Sequence, residues 1–530
     1  MKSEIAAVLA AASASCLYAT SYTWIGGTEG AWNVAANWAQ TDDSSVHKVP
    51  SSWQDTATLA CEDGDITITC SGYLEPALVF ATNVTFHVAS GTATVKGAHS
   101  GTGNITKTGA GELVFQGSSS RKGSTYINEG RVIFQGEHVL GENGLCVIGD
   151  GIHDAILQAN RDNTWPARFF GPSDGRGGAM VIKNKGVLEF SLSNKNKCDA
   201  IVDNLTIEEG GEARMGSHSF RIASKTGYYT IAGDLTFLES PELNNRISLL
   251  SGEFHVSGNR HSTLLIPNSL SSQYQYENGY VCAKLSAEGG SGLEVDMHIL
   301  GPIVDAWDAR DGIDIKGTGT VKLSGDNSTY GGNVSNMGNT RVQSGRLLVD
   351  NTEGSGTGYS KVVVSAGATL GGVGTIGGLT QAKTYNSRGG NAAMTDPCVV
   401  VNGAAGNPGV LAPGSYEDTT NARIYGTLTV GGEGSPSSVT MNANTKLAFE
   451  VGKGGATGLK VYGPLTLGSN VVLDVNVRDD AKTGDYVLVS ATEGITGDYT
   501  LTGNVGTAKV VRSENQILLK IRKGLIVTFR

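Results

Sequence analysis

Apolar and polar residues alternate in short runs along most of the chain, and glycines separate the runs. Examples are residues 66–69, 84–88, 186–190 and 252–256. In an extended strand, successive side chains point to opposite faces, so this alternation buries one set of side chains and leaves the other outside. The runs are of strand length and lack a helical period. The pattern therefore predicts an all-β chain built from many short strands.

One arrangement of these runs occurs twice, at residues 101–135 and 317–350. Residues 111–117 of the first copy match 319–325 of the second, and residues 125–134 match 340–349. Each run ends at a glycine, which accepts the positive φ that a sharp corner requires. Short strands that turn repeatedly with no helix between them predict a coil of strands, or solenoid.

The duplicated pattern also predicts a core and a set of corners. We expect the inward side chains to include four apolar residues of the first copy and their counterparts in the second. They are Leu113, Phe115, Ile127 and Ile133, matched by Val321, Leu323, Val342 and Leu348. The predicted corner glycines, which would resist replacement by valine if their φ is positive, are Gly117, Gly130, Gly325 and Gly345.

The duplicated motif resembles the autotransporter-associated β-strand repeat, also called the passenger-associated transport repeat. The spacing of Trp24, Trp32 and Trp38 resembles the opening segment of such passengers, and the motifs at 409–415, 426–430, 447–451 and 495–499 resemble their C-terminal part. The resemblance runs from Tyr22 to about Lys520. It implies a right-handed parallel β-helix that is exported from a bacterial cell. The family's proteins continue into an outer-membrane barrel, whereas only residues 516–530 follow the last passenger-like motif here, so we expect another export route.

The same patterns predict a domain organisation. Residues 1–19 have the character of a signal peptide, cleaved after Ala14 or Ala19. Residues 20–60 hold four of the chain's tryptophans and form an N-terminal cap, or alternatively an aromatic platform that stacks on sugars. Residues 61–515 form the β-helix, with loop excursions near 151–180 and 271–280. Residues 516–530 form a strand cap, a docking segment or a sorting signal.

The charge of the chain limits the classes of partner, and its cysteines suggest at most one disulfide. The formal net charge of −10, with scattered Lys and Arg, disfavours nucleic acid and anionic membrane surfaces. No apolar stretch is long enough for a membrane-spanning helix. Of seven cysteines, only Cys61 and Cys70 are close enough in sequence to suggest a disulfide, and two unrelated core residues are an equal alternative.

Several chemical motifs occur without the structural context that they need. Residues 372–377 satisfy GxGxxG but no helix follows, and residues 171–175 satisfy GxSxG within a loop-like segment. Two acidic groups would suit glycoside hydrolysis or Ca²⁺, but a solvated acidic surface explains them better. They consist of Asp305, Asp308, Asp311 and Asp314, and of Glu208, Glu209 and Glu212. We predict no catalytic, cofactor-binding or metal-binding residue and no cofactor.

The sequence as a whole predicts a secreted, non-enzymatic β-helix at the cell surface or in the extracellular matrix. Adhesion or self-assembly into a layer or filament would be its role, with other copies of itself or surface glycans as partners. The alternative is a carbohydrate-active β-helix enzyme, a polysaccharide lyase or glycoside hydrolase.

Overall fold

The computed structural model of the 530-residue chain describes most of its strands and corners. The described residues are 20–50, 55–61, 65–69, 78–79, 83–117, 119–135, 144–160, 179–190, 200–201, 204–215, 220–222, 228–237, 246–249, 253–256, 264–266, 269–272, 283–290, 292–305, 312–328, 330, 339–359, 361–378 and 399–522. The predicted signal peptide, the GxSxG motif and most of both loop excursions lie outside these ranges. Cys70, Trp53, Asp308 and Asp311 also lie outside these ranges.

The described chain is all-β, as predicted, and its one 3₁₀ turn is Ala35–Asn37. Most neighbouring strands pair in parallel, each with the strand one coil earlier and the strand one coil later. This is the pairing pattern of a parallel β-helix. The chain divides into two compact units, and each is described by itself.

The first unit comprises Met1–Val202 and Gly210–Gly216. Its coils contribute strands to three sheets, with one further strand at Ala200–Ile201. The first sheet holds Ser21–Trp24, Trp38–Gln40, Thr56–Cys61, Asn83–Val88, Ile105–Thr108, Thr125–Ile127, Leu145–Ile148 and Ala179–Ile182; the second holds Glu29–Ala31, Ile66–Thr69, Thr92–Lys96, Glu112–Phe115, Gly130–Gln135, Ala155–Asn160, Gly186–Phe190 and Glu212–Met215; the third holds Leu78–Val79, His99–Gly101 and Ser119–Arg121.

The second unit comprises Asp203–Glu209 and Ser217–Arg530. Its strands form four sheets, two short hairpin elements and the strand Asp234–Phe237. The first sheet holds Asn204–Ile207, Tyr228–Ile231, Glu253–Val256, Ala283–Ala287, Ile313–Gly317, Thr340–Val342, Val362–Val364, Val399–Val401, Val439–Met441, Leu465–Leu467 and Ile495–Thr496; the second holds Phe220–Ile222, Arg246–Leu249, Ser269–Ser272 and Ile303–Asp305; the third holds Leu264–Ile266, Met297–Ile299, Thr320–Leu323, Arg346–Val349, Thr369–Gly372, Val410–Pro413, Lys446–Gly452, Val471–Val477 and Tyr499–Thr502; the fourth holds Thr375–Ile376, Thr427–Val430, Gly458–Val461, Gly484–Ala491, Lys509–Arg512 and Gln516–Ile521. Ser415–Tyr416 pairs with Arg423–Ile424, and Gly455–Ala456 pairs with Lys446–Gly452, both antiparallel.

Each copy of the duplicated motif spans two neighbouring coils. In the first copy Ile105 pairs with Thr125, so that coil takes 20 residues. In the second copy Ile313 pairs with Thr340, and the coil takes 27 residues. The extra length falls between strands Thr320–Leu323 and Thr340–Val342, so the strands of both repeats keep the same register.

The first copy's core is a column of aromatic rings. The Phe115 ring stacks on Phe134 at 5.2 Å and meets the edge of Phe86, across the coil, at 5.9 Å. All three are buried, as are Leu113 and Ile127, which confirms these predictions. Since an aromatic ring buries up to 250 Å², this column dominates the packing of its coils.

Two predicted inward residues, Ile133 and Leu348, are buried but lie on the opposite face. Ile133 is in register with Val114, between the inward residues Val132 and Phe134. Leu348 is in register with Lys322, whereas Leu347 and Val349 align with the inward residues Val321 and Leu323. These predictions of an inward face were wrong because three consecutive apolar residues hide the alternation, and because the outer face is itself covered.

The predicted corner glycines are required for two different reasons. Gly130 and Gly345 have φ of +75° and +66°, as predicted. Gly117 and Gly325 have no positive φ. At these two positions an added Cβ would overlap the carbonyl oxygen of the preceding coil, that of Gly97 or Gly301. Coil-to-coil contact, not backbone twist, therefore selects glycine there.

The described tryptophans of the opening segment pack on one another. Trp38 meets Trp24 at 5.1 Å and Trp32 at 4.6 Å, both edge to face. All three are at most 6% exposed, and the Trp38 indole donates a hydrogen bond to the Trp32 carbonyl at 2.8 Å. Their rings are therefore occupied by the cluster and offer no open face for stacking a sugar. Strand Ser21–Trp24 pairs antiparallel with Trp38–Gln40 and parallel with Thr56–Cys61.

Candidate functional site

A hairpin covers the outer face of the third sheet of the second unit, and we call residues 415–424 the outer hairpin. It begins after Gly414, whose φ is +105°, and turns at Asn421, whose φ is +55°. Asparagine tolerates this left-handed conformation better than other non-glycine residues. The covered strands are Met297–Ile299, Thr320–Leu323 and Arg346–Val349, which lie about a hundred residues earlier in the chain.

Polar contacts hold the outer hairpin at both ends. At its tip, the Asn421 amide donates to the Gly292 carbonyl at 2.9 Å and accepts from the Glu294 N–H at 2.9 Å. At its base, the Ser415 hydroxyl donates to the Asp350 carboxylate. Between them the Tyr416 ring lies between the guanidinium groups of Arg346 and Arg423, at 5.4 and 4.7 Å, an arrangement that favours cation–π attraction.

Under this hairpin a histidine links a serine to an aspartate. His298 Nδ1 lies 2.6 Å from Asp418 Oδ2, and His298 Nε2 lies 2.7 Å from Ser324 Oγ. The His298 side chain is 7% exposed and that of Asp418 is 19% exposed. Ser324 is half-buried. The serine and the aspartate therefore each lie within hydrogen-bond distance of the histidine. Serines that act as nucleophiles use this geometry, with the histidine as base and the aspartate orienting it.

The strand register explains why these groups meet. His298 pairs with Lys322, so Ser324, two residues further on, lies on the same outer face. The Ser324 N–H donates to the Ile299 carbonyl at 2.9 Å, which extends the ladder and fixes the serine backbone. The outer hairpin then supplies Asp418 from above.

Lys322 supplies the positive charge of the cluster. Its ammonium donates to the Tyr416 carbonyl at 2.9 Å and lies 3.3 Å from Asp418 and 3.4 Å from Asp350. Burial by itself would raise the pKa of Asp418, but the hydrogen bonds and charges of His298 and Lys322 outweigh it and lower that pKa. Asp418 is therefore ionised at neutral pH.

The ionised carboxylate decides which ring nitrogen carries the proton. A carboxylate only accepts hydrogen bonds, so Nδ1 of His298 must be the donor toward Asp418. In the neutral ring Nε2 then carries the lone pair, and the Ser324 hydroxyl donates to it. This is the proton arrangement in which the imidazole serves as a general base for the serine.

A second histidine in the same unit has similar neighbours with looser geometry. His255 Nδ1 lies 3.2 Å from Ser286 Oγ, and its Nε2 lies 3.3 Å from Glu288. Ser286 is 4% exposed, so a substrate cannot reach its hydroxyl in this structure. The pair shows what a buried structural histidine looks like in the same fold.

An open groove of about 620 Å³ lies elsewhere in the second unit. Its lining is polar apart from Val477, and it consists of Glu450, Asn476, Val477, Arg478, Asp479, Asp480 and Asn504. Arg478 Nη1 donates to Glu450 Oε1 at 2.8 Å, and the Tyr425 hydroxyl donates to the same oxygen at 3.1 Å. Amides, carboxylates and a guanidinium of this kind can hydrogen-bond to sugar hydroxyls.

The acidic groups singled out in the sequence do not form a site in the described residues. Asp314 is 5% exposed and its carboxylate receives Arg341 Nε at 2.7 Å. Glu212 forms two 2.7 Å hydrogen bonds to Arg214, while Glu208 and Glu209 are exposed. The side chain of Asp305 is not among those described. Within the described part of the chain, no cluster of His, Cys, Asp and Glu has the arrangement of a metal site.

The GxGxxG segment lies on strands. It begins in Thr369–Gly372 and continues through Thr375–Ile376, so it does not open a helix. Of the cysteines, Cys146 is free and buried, and burial raises the pKa of its thiol to about 12. Of the predicted Cys61–Cys70 pair, Cys61 ends strand Thr56–Cys61 and Cys70 lies outside the described residues.

Comparison with protein families agrees with the coil pairing. The family described as Passenger-associated-transport-repeat matches residues 105–133 and 316–349. The chain carries two passenger-associated transport repeats. Each repeat corresponds to two strand pairs on neighbouring coils, and the resemblance of the duplicated motif to this repeat is confirmed. A search of curated proteins found no match to the chain. In the part of the chain that the structure describes, we find no helix with the length and apolar character of a membrane span.

Sequence reasoning missed all three members of the Ser324–His298–Asp418 group. Ser324 precedes the glycine that ends the second repeat's matching segment, where a serine is typical of a turn. His298 and Asp418 belong to no motif in the sequence. Only the pairing of His298 with Lys322 and the fold of the outer hairpin bring them together, and neither leaves a local motif.

Proposed function

We propose that this protein is an exported passenger-type β-helix that acts as a structural component at the cell surface or in the extracellular matrix. The observation that carries the proposal is that both passenger-associated transport repeats lie in the body of a parallel coil stack, each spanning two coils. Coils that contact only their neighbours make a rigid scaffold that extends by adding coils. Such a scaffold suits a role in adhesion or self-assembly.

The terminal segments bear on self-assembly. A stack of coils exposes unpaired strand edges unless something covers them. We propose that the Trp24–Trp32–Trp38 cluster and the antiparallel strand Trp38–Gln40 cap one end of the first unit. In the second unit, strand Gln516–Ile521 lies antiparallel between Gly484–Ala491 and Lys509–Arg512, which favours a cap over a free docking strand.

Glycans are the second class of partner that we propose. The polar groove at Asn476 and Arg478 is the described region whose chemistry fits them best. Binding of the full chain to a glycan array, repeated with Asn476→Ala and with Asn470→Ala as an exposed control outside the groove, tests this. We expect loss of signal only for Asn476→Ala. Equal signals from both variants and the wild type would remove the groove from the proposal.

The export proposal is tested on intact cells. A membrane-impermeant amine reagent and added protease should reach the protein without cell lysis, while a cytoplasmic marker stays unlabelled. Mass spectrometry of the N-terminus should show that residues 1–14 or 1–19 have been removed. Protection from both reagents in intact cells, with an uncleaved N-terminus, would contradict the proposal.

A further inference from the structure

We propose that Ser324, His298 and Asp418 form a catalytic triad that hydrolyses esters with short acyl groups. This activity goes beyond the structural role proposed above and does not depend on it. It also departs from the sequence-based prediction that the protein is not an enzyme.

The hydrogen bonds of the group have the geometry by which a histidine activates a serine. The hydroxyl lies 2.7 Å from the base, and the base lies 2.6 Å from the carboxylate that orients it. The two bonds use the two different ring nitrogens, so the proton on one side fixes the lone pair on the other. Strand pairing fixes the serine and the histidine, while the outer hairpin fixes the aspartate, so the three groups need no rearrangement to act.

Burial separates this group from an ordinary structural histidine. His298 and Asp418 are mostly covered, whereas Ser324 at the strand end stays half-exposed. In the Ser286–His255–Glu288 group the order is reversed, because Ser286 is buried and the Glu288 side chain is 53% exposed. Both groups cover their histidine, but only the first combines a covered histidine with a serine that is partly exposed.

The surroundings of Ser324 indicate the substrate class. Leu300 follows strand Met297–Ile299, lies next to Ser324 in the extended ladder and is 40% exposed. An exposed apolar side chain beside the nucleophile suits a short alkyl group on the acyl carbon. We therefore expect esters of small acyl groups, such as acetyl groups carried on a larger molecule, to react best.

The reaction balances with water as the second substrate. Ser324 Oγ bonds to the ester carbonyl carbon while its proton passes to His298 Nε2. The bond from that carbon to the alcohol oxygen then breaks, and the alcohol leaves with the proton from Nε2. Water adds to the acyl-serine and gives a proton to His298. The Oγ–acyl bond breaks, the carboxylic acid leaves, and Ser324 regains its proton. Asp418 remains ionised and stabilises the imidazolium.

The test uses the full chain with a fluorophosphonate probe and with p-nitrophenyl acetate and butyrate. The probe should bond to Ser324, as located by peptide mass spectrometry, and should then block ester hydrolysis. Because general-base catalysis contributes about 10²–10⁴-fold, Ser324→Ala and His298→Gln should each lower the hydrolysis rate by at least about 100-fold. Asp418→Asn should lower it by a similar factor, since it no longer fixes the tautomer.

Ser286→Ala is the matched control, and it should leave the rate unchanged. Circular dichroism of every variant checks that it is folded, and the labelling of the wild-type chain does not depend on any variant. Absence of label at Ser324, or hydrolysis by Ser324→Ala at the wild-type rate, would overturn the proposal. A rate that falls equally with Ser286→Ala would also overturn it, because the loss would then reflect general disturbance of the fold.

Discussion

Lys107 carries a charge into the core of the first repeat. It is fully buried in the inward column between Phe86 and Ile127. Its ammonium donates to the carbonyls of Thr108, Gly109 and Glu129 at 3.0, 2.6 and 3.1 Å. At the matching position of the second repeat stands Ile315, which is also fully buried. The same coil geometry therefore accepts either a lysine tied to carbonyl groups or a plain hydrocarbon.

Lys107→Ile should change how stability depends on pH. Burial lowers the pKa of Lys107 from 10.5 to about 8, against the opposing charge of Glu129. Between these two values the unfolded chain binds more protons than the folded chain, so this residue makes stability rise as pH increases from about 8 toward 10.5. The variant should lose this rise, and near pH 7 it should be as stable as the wild type or more so.

Thermal unfolding of both proteins at pH 7, 8.5 and 10 gives the stability of the wild type minus that of the variant at each pH. The titration of tyrosines and of the other lysines is common to both proteins and cancels in this difference. Lys183→Ile, at a half-buried position in the same unit, serves as the control. A wild-type minus variant difference that does not change with pH would show that Lys107 keeps its proton in the folded state.

At the scale of single elements, the outer hairpin matters most, because it contributes Asp418 and is held at its tip by one residue. Asn421 makes both hydrogen bonds at its tip and holds the left-handed turn. Opening of such a segment costs much less than global unfolding. The hairpin is therefore where the second unit should first become accessible to protease.

Asn421→Ala should make the hairpin open more often. The variant loses two hydrogen bonds, each worth about 1 kcal/mol, and adds the cost of a left-handed alanine, about 1–2 kcal/mol. Asn421→Gly loses the same hydrogen bonds, but glycine adopts the left-handed conformation without that cost. Tryptic cleavage after Arg423 should therefore accelerate in both variants and more in the alanine variant, by on the order of tenfold or more. Asn444→Ala, at another left-handed asparagine that makes no contact with the hairpin tip at Gly292 and Glu294, should leave this cleavage unchanged.

Strands and repeats could be predicted from the sequence because alternation and glycine spacing are local. The inward or outward face of a residue could not be predicted where both sides of a strand are apolar, as at Ile133, because the register with the neighbouring coil then decides the face. The position of the outer hairpin could not be predicted for a related reason. Its contacts join Asp418 to His298 across 120 residues, and no local pattern encodes such a meeting. The candidate triad therefore left no signal in the local sequence.

On the scale of the whole molecule, the last strands close the fourth sheet of the second unit by reversing direction. Gln516–Ile521 buries Ile517 and Leu519 completely, and it is paired on both sides. These two antiparallel strands, with Lys509–Arg512 outermost, replace the parallel pairing at this edge of the sheet. If this segment is a cap, its loss exposes the backbone of Gly484–Ala491 to other chains.

Leu519→Asp tests the cap, because a carboxylate at this buried position is incompatible with the pairing. We expect larger particles in sedimentation velocity than for the wild type, since an open edge recruits further strands. Lys520→Ala, on the other face of the same strand, should sediment like the wild type. Loss of an ordered assembly that the wild type forms would indicate docking instead, and unchanged sedimentation together with retention inside the cell would indicate a sorting signal.

The 20-residue step between Ile105 and Thr125 has a consequence for how such chains are inherited. Ile105 and Thr125 occupy equivalent positions on neighbouring coils. An in-frame deletion that joins Asn104 to Thr125 therefore places Ile127 beside Phe86, in the position that Lys107 occupied. Removal or duplication of one such segment can therefore change the number of coils by one without exchanging inward and outward side chains. The outer hairpin sets the opposite condition, because a coil lost or gained between residues 292 and 424 would move Asn421, Asp418 and Ser415 away from their partners.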